Sequence, residues 1–584
     1  MTSDNLAARS IWLSLPRHRR LGPIGSAFLA LSGLAGCSSS SDGTTFIAID
    51  PPTATIEAGD SITLTVVAEN TSIVWPDVVE GSFVVQGNQA VYTPPPSEGR
   101  YEFAVTAGAD GTTAAATIDV FVPPTPEITS FSLPGLPPAT IDHDENTIVF
   151  STHEWIDGLE APEADFAANG TVLVGGVVQT SGVTANNFYR DVTYVVATGK
   201  YARRRYTVRV ESPQTTGLPI IRIDTKDNVP VSSKEEYVPT NIHVIDPQNP
   251  DNSFSHTEYE DEIRGRGNTT WTYPKKPYRI RFDTKRSMFG LAPARNWVLL
   301  ANYLDPTLMM NTITFEVGQR FGLPFTNHYV HVELFLNGEY QGSYVLTEHV
   351  QVGEGRVDID EDAGFFVELD TYYDEDPKFT TQHYALPVMI KSPDDLPDPS
   401  GYDFVKDAIH ALEAALIDSS FPDSGYRDLI DMDTFVDFLL INQLVRNGEI
   451  GWPKSTYMYK DADGPIGMGP LWDFDWAFGY GGIGHQYFLT AEGLVFMHPF
   501  FARLFDDPVF VARFKARWAE VQDELATMPE FIESLAKRLE RSAAQNFWKW
   551  PEAQNNGFAR EIEDLLDWWR DRMEFMNVTI AAMN

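Results

Sequence analysis

Between Thr44 and Pro213 the chain is dominated by short runs in which apolar and polar positions alternate. Ser61–Ala68, Ala90–Thr93, Tyr101–Thr106 and Ala114–Val122 follow one another, separated by turns such as Glu57-Ala-Gly-Asp60 and Gly108-Ala-Asp-Gly111. Period-two alternation turns one face of a strand to a core and the other to water. Regular short strands of this kind with Gly/Asp turns predict an Ig-like β-sandwich over residues 44–123. Pro123-Pro-Thr-Pro126 reads as a stiff linker. A second β-rich module is predicted over 127–213, with strands at Thr147–Ser151, Thr171–Gly175, Val192–Val196 and Arg204–Val210. Neither module clusters residue types that do chemistry. The expectation is therefore a spacer, with carbohydrate or partner binding as the alternative.

From Leu218 the pattern becomes mixed. A strand at Ile220–Asp224 is followed by Glu262-Ile-Arg-Gly-Arg-Gly-Asn-Thr-Thr-Trp271 and then Pro274-Lys-Lys-Pro-Tyr-Arg-Ile-Arg-Phe282. A glycine-containing turn between strands can offer backbone N–H groups to phosphate, which makes Gly265, Arg266 and Gly267 candidates. Met309, Ile313, Val317 and Phe321 recur at four-residue spacing behind Asp305-Pro306, which predicts a helix ending near Gly322-Leu-Pro324. Asn337-Gly338 between two alternating runs predicts a tight hairpin over 330–347. Glu348 follows its second strand. An acidic insertion spans 364–374 and leads on to Ile390-Lys-Ser-Pro393; its Glu368, Asp370 and Lys391 either line a cleft or fold the insert. Helices are predicted at 402–416, 432–446, 500–505, 508–525, 528–544 and 558–577. Trp518, Trp548, Trp550, Trp568 and Trp569 are read as core.

Composition changes the picture in two ways. A chain of 584 residues is too long for one core, and its formal charge of −39 disfavours nucleic acid and anionic membrane surfaces as partners of the body. The single cysteine, Cys37, excludes an intrachain disulfide. It closes a basic segment, Arg17-His-Arg-Arg20, and an apolar run from Leu21 to Gly36 that is short for a bilayer span. Leu34-Ala35-Gly36-Cys37 resembles a bacterial lipobox. That implies a leader over 1–36, lipidation of Cys37, and a tether at 37–43. The implied location is the bacterial cell envelope, with the membrane as a partner through the lipid anchor.

The candidate chemistry lies in 441–479. A helical pattern ends at Asn447-Gly448, a Gly/Pro-broken loop carries Glu449, Lys454 and Ser455, and two short strands follow. Asp473 and Asp475 then stand in Trp-Asp-Phe-Asp-Trp. Protein kinases supply a catalytic base, a metal-ligating amide and a metal-binding Asp in that order. The stretch resembles the CotH kinase family in Asn447-Gly-Glu449, in Ser455-Thr-Tyr457-Met-Tyr459-Lys460, and in Gly469-Pro-Leu-Trp-Asp473-Phe-Asp475-Trp-Ala-Phe-Gly479.

The resemblance implies a multidomain chain: two all-β sandwich modules, then an α+β protein-kinase-like domain over 218–584 with a helical C-terminal region. It implies transfer of the ATP γ-phosphate to Ser/Thr of an envelope or secreted protein, with Mg²⁺ or Mn²⁺. Asp473, Asp475 and Ser455 would hold the metal. Glu449 would act as base where the family usually carries Asp. Lys276, chosen over Lys275 on the family pattern, would hold phosphates, with Glu348 at the adenine-contacting hinge; Glu316 is either the partner of that lysine or an exposed residue on a polar helix face, and the latter is the favoured reading. An extra methylene at position 449 moves the carboxylate by roughly 1.5 Å, enough to weaken turnover. An inactive pseudokinase that binds a surface partner is therefore the alternative. A metal-dependent hydrolase lacks a His-rich cluster in this sequence.

Overall fold

The computed structural model describes residues 46–68, 71–77, 80–107, 111–394, 399–481 and 486–583. Cys37, the leader and the tether lie outside the described residues. Among the described residues no helix is long and apolar enough to cross a membrane. The chain forms two compact units that divide at Pro123 and Pro124.

The first unit is a sandwich of two four-stranded sheets. One runs Ile47–Asp50, Ile62–Ala68, Gln89–Thr93, Ser82–Gln86; the other runs Thr53–Glu57, Thr112–Phe121, Gly99–Ala107, Ile73–Val74. Leu64, Val66, Tyr92, Phe103, Val105 and Ile118 from the two inner faces close the core. This is the alternation read from the sequence.

The second unit begins with a six-stranded sheet plus a two-stranded ribbon, packed around Phe150, Tyr194, Tyr206 and Val208. This module has its own core but does not stand free. His153 stacks on Trp548 with centroids 3.4 Å apart and planes 6° from parallel, and its Nδ1 shares a 2.7 Å hydrogen bond with Gln545 Oε1. Trp155 meets Phe335 edge-on, Arg541 pairs with Asp191 at 3.1 Å, and the Gln214 amide bonds both the N–H and the C=O of Ile156. The module 127–213, read from the sequence as a spacer, is thus docked on the C-terminal body through these side chains. Trp548, read as core, is 55 % exposed and serves this interface.

The remaining body has two parts. Seven strands close into a barrel: β1 (Ile220–Thr225), β2 (Val238–Ile245), β3 (Phe254–Gly265), β4 (Tyr278–Arg286), β5 (Ala294–Leu300), β6 (Tyr329–Leu336) and β7 (Glu339–Glu348). The order is β1-β2-β3-β4-β5-β7-β6, and β6 returns to β1 in parallel. Phe282, Trp297 and Tyr344 fill its interior. Between β5 and β6 runs α1 (Met310–Phe321), stopped by Gly322 at φ +70°. Asp305 caps it from five residues back, its Oδ2 accepting the Met310 N–H at 2.7 Å.

The strand, helix and hairpin read from the sequence are therefore present, and their strands belong to a closed seven-stranded barrel. Asn337 (φ +52°) and Gly338 (φ +80°) make the expected hairpin turn, left-handed conformations these residues tolerate. The second part is a five-stranded sheet in the order β9-β10-β8-β11-β12. Its strands are β8 (Phe365–Leu369), β9 (Lys378–Thr380), β10 (Pro387–Ser392), β11 (Thr456–Lys460) and β12 (Ile466–Met468). With it go helices α2 (Asp403–Ile417), α3 (Met432–Leu444), α4 (Pro508–Glu520), α5 (Met528–Lys549) and α6 (Phe558–Ala582); α3 packs on β12, and α5 packs on β7 of the barrel.

Candidate functional site

Helix α3 is buried from Thr434 to Leu444, where it ends, and the chain turns back through Arg446 at φ +56°. Asn447 then caps a short 3-10 turn, Gly448–Gly451, its Oδ1 accepting the Glu449 N–H at 3.2 Å. The turn holds Glu449 in a buried position where Oε2 has no hydrogen-bond partner. A buried carboxylate oxygen without a partner is costly and marks a place where something else is meant to bind.

The acidic pair follows β12. Asp473 sits at φ +60°, a strained conformation for a residue other than glycine, of the kind that gathers at functional sites. Asn311 of α1 holds this turn. It accepts the Phe474 N–H at 3.0 Å and donates to Asp475 Oδ1 at 3.2 Å, while Tyr487 donates to the Asp475 carbonyl at 2.6 Å. Both acidic side chains keep a partial solvent face, yet burial is the main force on their protons. It raises Asp473, against the nearby charges of Arg266 and Lys454. It pushes Asp475 up to about 7, helped by the charge of Asp473. Glu449 is held well above the usual carboxylate range by burial, then by Asp473, against Lys454.

The three oxygen donors suit a hard divalent cation, which takes carboxylates together with water and substrate phosphate. Asp473 and Asp475 would hold it, with Glu449 alongside. Among the described residues the carboxylates are not drawn into a closed cage. The one such group is His256, Asp261 and Asp283 on the barrel, with ligand atoms within 4.8 Å, and there Asp261 already pairs with His256 at 2.7 Å.

The cations differ from expectation. Arg266 is the one whose charge reaches Asp473, Asp475 and Glu368, and burial lowers its own pKa. Its guanidinium lies 5.1 Å from the Trp472 ring. Around it, Arg264, Arg266, Arg279 and Lys391 stand close enough to His349 that, after burial, their charges hold that imidazole well below its ordinary value.

Gly265 and the Arg266 amide do another job. The Gly265 N–H goes to the Ser233 carbonyl at 2.8 Å and that of Arg266 to Pro277 at 3.2 Å, so these amides are not turned to a phosphate. A Cβ at 265 would meet Trp271 at 2.3 Å. Lys276 donates to the Trp271 carbonyl at 2.6 Å, and Lys275 is buried between β7 and α5, donating to Asn546 Oδ1 at 2.8 Å and to the Ser343 carbonyl. Burial brings Lys275 down to about 7. Neither lysine is among the charges that shift Glu449, Asp473 or Asp475.

Glu316 does not partner a lysine; it bonds Arg320 at 2.7 Å and Tyr329 at 2.5 Å. Glu348 accepts His328 N and Nδ1 at 2.8 Å, and its carbonyl takes Asn327, so both groups are engaged. The cavity beside it, lined by Glu348, His349, Val350, Arg356 and Pro470, is about 10 Å³, room for one water. At Ser455 the backbone N–H donates to Asp370 Oδ2 at 3.1 Å.

The sequence left Glu368, Asp370 and Lys391 unassigned. The structure sets Glu368 between Tyr457 (2.8 Å) and Lys391 (3.3 Å), and Asp370 among the charges felt by Glu449. Asn311 and Arg279 were missed. An Asn on a buried helix face and an Arg on an alternating strand carry no local signal.

A family model described as CotH kinase protein matches residues 263–576, more than half of the chain. No curated protein matches. Solved structures similar to parts of the chain include the I9–I11 tandem of titin, 11 % identical over 40 % of this chain and 94 % of that one, with a TM-score of 0.18. Another is the extracellular domains 3–5 of Drosophila OTK, 15 % identical over 27 % and 59 %, with a TM-score of 0.16. A third is a SusE-like surface-located polysaccharide-binding protein of Bacteroides thetaiotaomicron, 13 % identical over 29 % and 34 %, with a TM-score of 0.15. Likenesses this weak carry no argument about function.

Proposed function

Because this chain belongs to the CotH kinase protein family, we propose that it transfers the γ-phosphate of ATP to a Ser or Thr hydroxyl of an envelope or secreted protein, held at the membrane through lipidated Cys37. The observation that carries the reading is the buried, unpartnered Glu449 Oε2 beside two carboxylates whose protons burial raises. Mg²⁺ or Mn²⁺, when bound, supplies the positive charge that offsets the phosphates. Asp473 and Asp475 fit as its ligands, and Asn311 keeps the Asp475 oxygen in place. Arg266 fits the transferred phosphoryl group, because its side chain sits among these acids without an ion pair among the described residues. Glu449 Oε2 accepts the acceptor hydroxyl proton as the new O–P bond forms and the bond to the β-phosphate oxygen breaks.

One observation favours a binding protein without turnover. Burial and then the charge of Asp473 hold the Glu449 carboxyl well above the usual carboxylate range, which works against its acting as a base, and it is one methylene longer than the residue usual in this family. Labelled ATP with Mg²⁺ or Mn²⁺, beside a nucleotide thermal-shift measurement, separates the two readings. Label on Ser or Thr is the expected result. Nucleotide binding without transfer, unrescued by Glu449→Asp, would leave the binding protein.

A further inference from the structure

Both acidic turns of the site hang on the C-terminal end of α3. The Val445 carbonyl takes the Phe478 N–H at 2.7 Å, which anchors the chain just after Asp475. Glu449 follows on the other side, behind the reversal at Arg446. The end of a helix leaves carbonyls that need donors and carries a partial negative charge. A buried cation from far along the chain meets both needs here.

Arg572 of α6 is fully buried. Its Nε donates to the Leu444 carbonyl at 3.1 Å and its Nη2 to that of Gln443, both on α3. Its Nη1 donates to Ala491 at 2.6 Å and to Gly493 at 2.8 Å. Among the described residues no carboxylate pairs with it; burial and then the charge of Arg446 bring it down to about 9, so it stays charged at neutral pH. The segment that starts at Ala491 is the second wall of the Glu449 turn. Val495 exchanges two hydrogen bonds with the Gln443 side chain, and the His498 N–H donates to Ile450 at 3.1 Å. A Cβ at Gly451 would meet the Phe496 carbonyl at 2.7 Å. Four residues before Arg572, on the same helix face, Trp568 Nε1 donates to the Thr490 carbonyl at 2.8 Å. That indole nitrogen would lie 3.0 Å from a Cβ at Gly479, in the stretch that leaves the acidic pair.

We propose that Arg572 is a positioning residue, a buried clamp that fixes the Glu449 carboxylate relative to Asp473 and Asp475 by drawing the end of α3 and segment 491–498 together. Burying a cation is costly. An apolar side chain would fill the same volume without that cost, but it would join none of these carbonyls. The planar guanidinium presents several N–H donors in fixed directions, which suits a junction of two chain segments. A catalytic group misplaced by about 1 Å can lose on the order of a hundredfold in rate. The inference rests on the phosphotransfer reading, and its test has one arm that does not.

Arg572→Lys keeps the charge and loses the fork. Hydrogen exchange of the ligand-free full chain reads the clamp itself: peptides covering 441–452 and 490–498 should exchange about tenfold faster while the barrel strands keep their protection. With labelled ATP, kcat should fall about tenfold or more, with KM for ATP and the nucleotide thermal shift within about threefold. In a Glu449→Gln background the same substitution should cost no more than about twofold, because Arg572 acts through Glu449. Trp568→Phe, which drops the indole N–H from Thr490, should act in the same direction by about threefold, and it carries the test if Arg572→Lys does not fold. Unchanged exchange in both segments, unaltered kcat in both variants, equal losses of kcat and nucleotide affinity, or a full further loss in the Glu449→Gln background would each overturn the clamp. Faster exchange of the two segments, beside a wild type that transfers no phosphate, would support the clamp and end the phosphotransfer reading.

Discussion

The acidic and basic groups of the site are built on different principles. Glu449, Asp473 and Asp475 sit on two turns of the helical part; burial acts on all three, and the charge of Asp473 is felt by both Glu449 and Asp475. Arg264, Arg266 and Arg279 stand on or beside the adjacent barrel strands β3 and β4 and crowd His349. The two groups do not simply neutralise one another. Among the described residues Arg279 bonds Asn296 Oδ1 at 3.2 Å and has no ion pair, and Arg264 pairs with Glu235 at 3.7 Å while its Nε stays buried and unpartnered. Arg266 alone feels Asp473 and Asp475 and also acts on His349. Buried charge that its neighbours offset only in part is costly. The arrangement makes sense if two ligands of opposite sign enter together, a divalent cation and a polyphosphate.

Breaking the acidic side should have the largest effect. Asp473→Asn keeps a residue that tolerates φ +60° and removes only the charge. Metal-dependent nucleotide binding and transfer should fall below detection, a loss of at least 100-fold, while the melting temperature of the ligand-free protein holds or rises because like charges are relieved. Thermal shift with and without ATP and Mg²⁺ reads both. A ligand-free protein that unfolds would place Asp473 in folding and not in the site.

Glu449→Gln is next. It keeps shape and burial but cannot take a proton, so turnover should drop by about 100-fold or more, the scale of a lost general base. Nucleotide affinity should stay within about threefold, since the base faces the hydroxyl and not ATP. Glu449→Asp should keep activity. Equal losses in affinity and turnover would make Glu449 a metal ligand.

Arg266→Met cuts the link between the two sides. Nucleotide affinity should fall about tenfold, the worth of a charged hydrogen bond to phosphate. The sign of its pH effect is fixed. The Arg266 charge lowers the Asp473 pKa against burial, so its removal raises that pKa further. Ionised Asp473 then appears only at higher pH, and the pH at which Mg²⁺ first stabilises the protein should move upward. A shift in the other direction would mean that Arg266 does not act on Asp473.

Local chemistry made much of this legible. The Asn337-Gly338 turn, the glycine that stops α1 and the order of the acidic motif are all written within a few residues. What stayed hidden depends on partners far along the chain. Asn311 meets Asp475 from 164 residues away, and His153 meets Gln545 from 392. Barrel closure needs β1 beside β6, a parallel pairing that no local pattern announces. Glu316 was misread for the opposite reason: Arg320 stands four residues on, and that nearby cation on the same helix face takes it.

The smallest effect expected is at Lys276, and it sharpens the contrast between the two sides. Two lysines stand next to each other before β4, and a kinase-like reading needs one of them on the phosphates. Here the Lys276 amine bonds the Trp271 carbonyl at 2.6 Å and lies 5.2 Å from the same indole. Its loss should cost stability of about 1 kcal/mol, the sum of one modest hydrogen bond and a weak cation–π contact. Lys276→Met should therefore leave nucleotide affinity within about threefold, against the tenfold loss at Arg266. The barrel would then present its phosphate-binding charge through arginines on β3 and β4. A loss at Lys276 larger than that at Arg266 would show instead that the lysine leaves Trp271 when nucleotide arrives, and the motif-based assignment would stand.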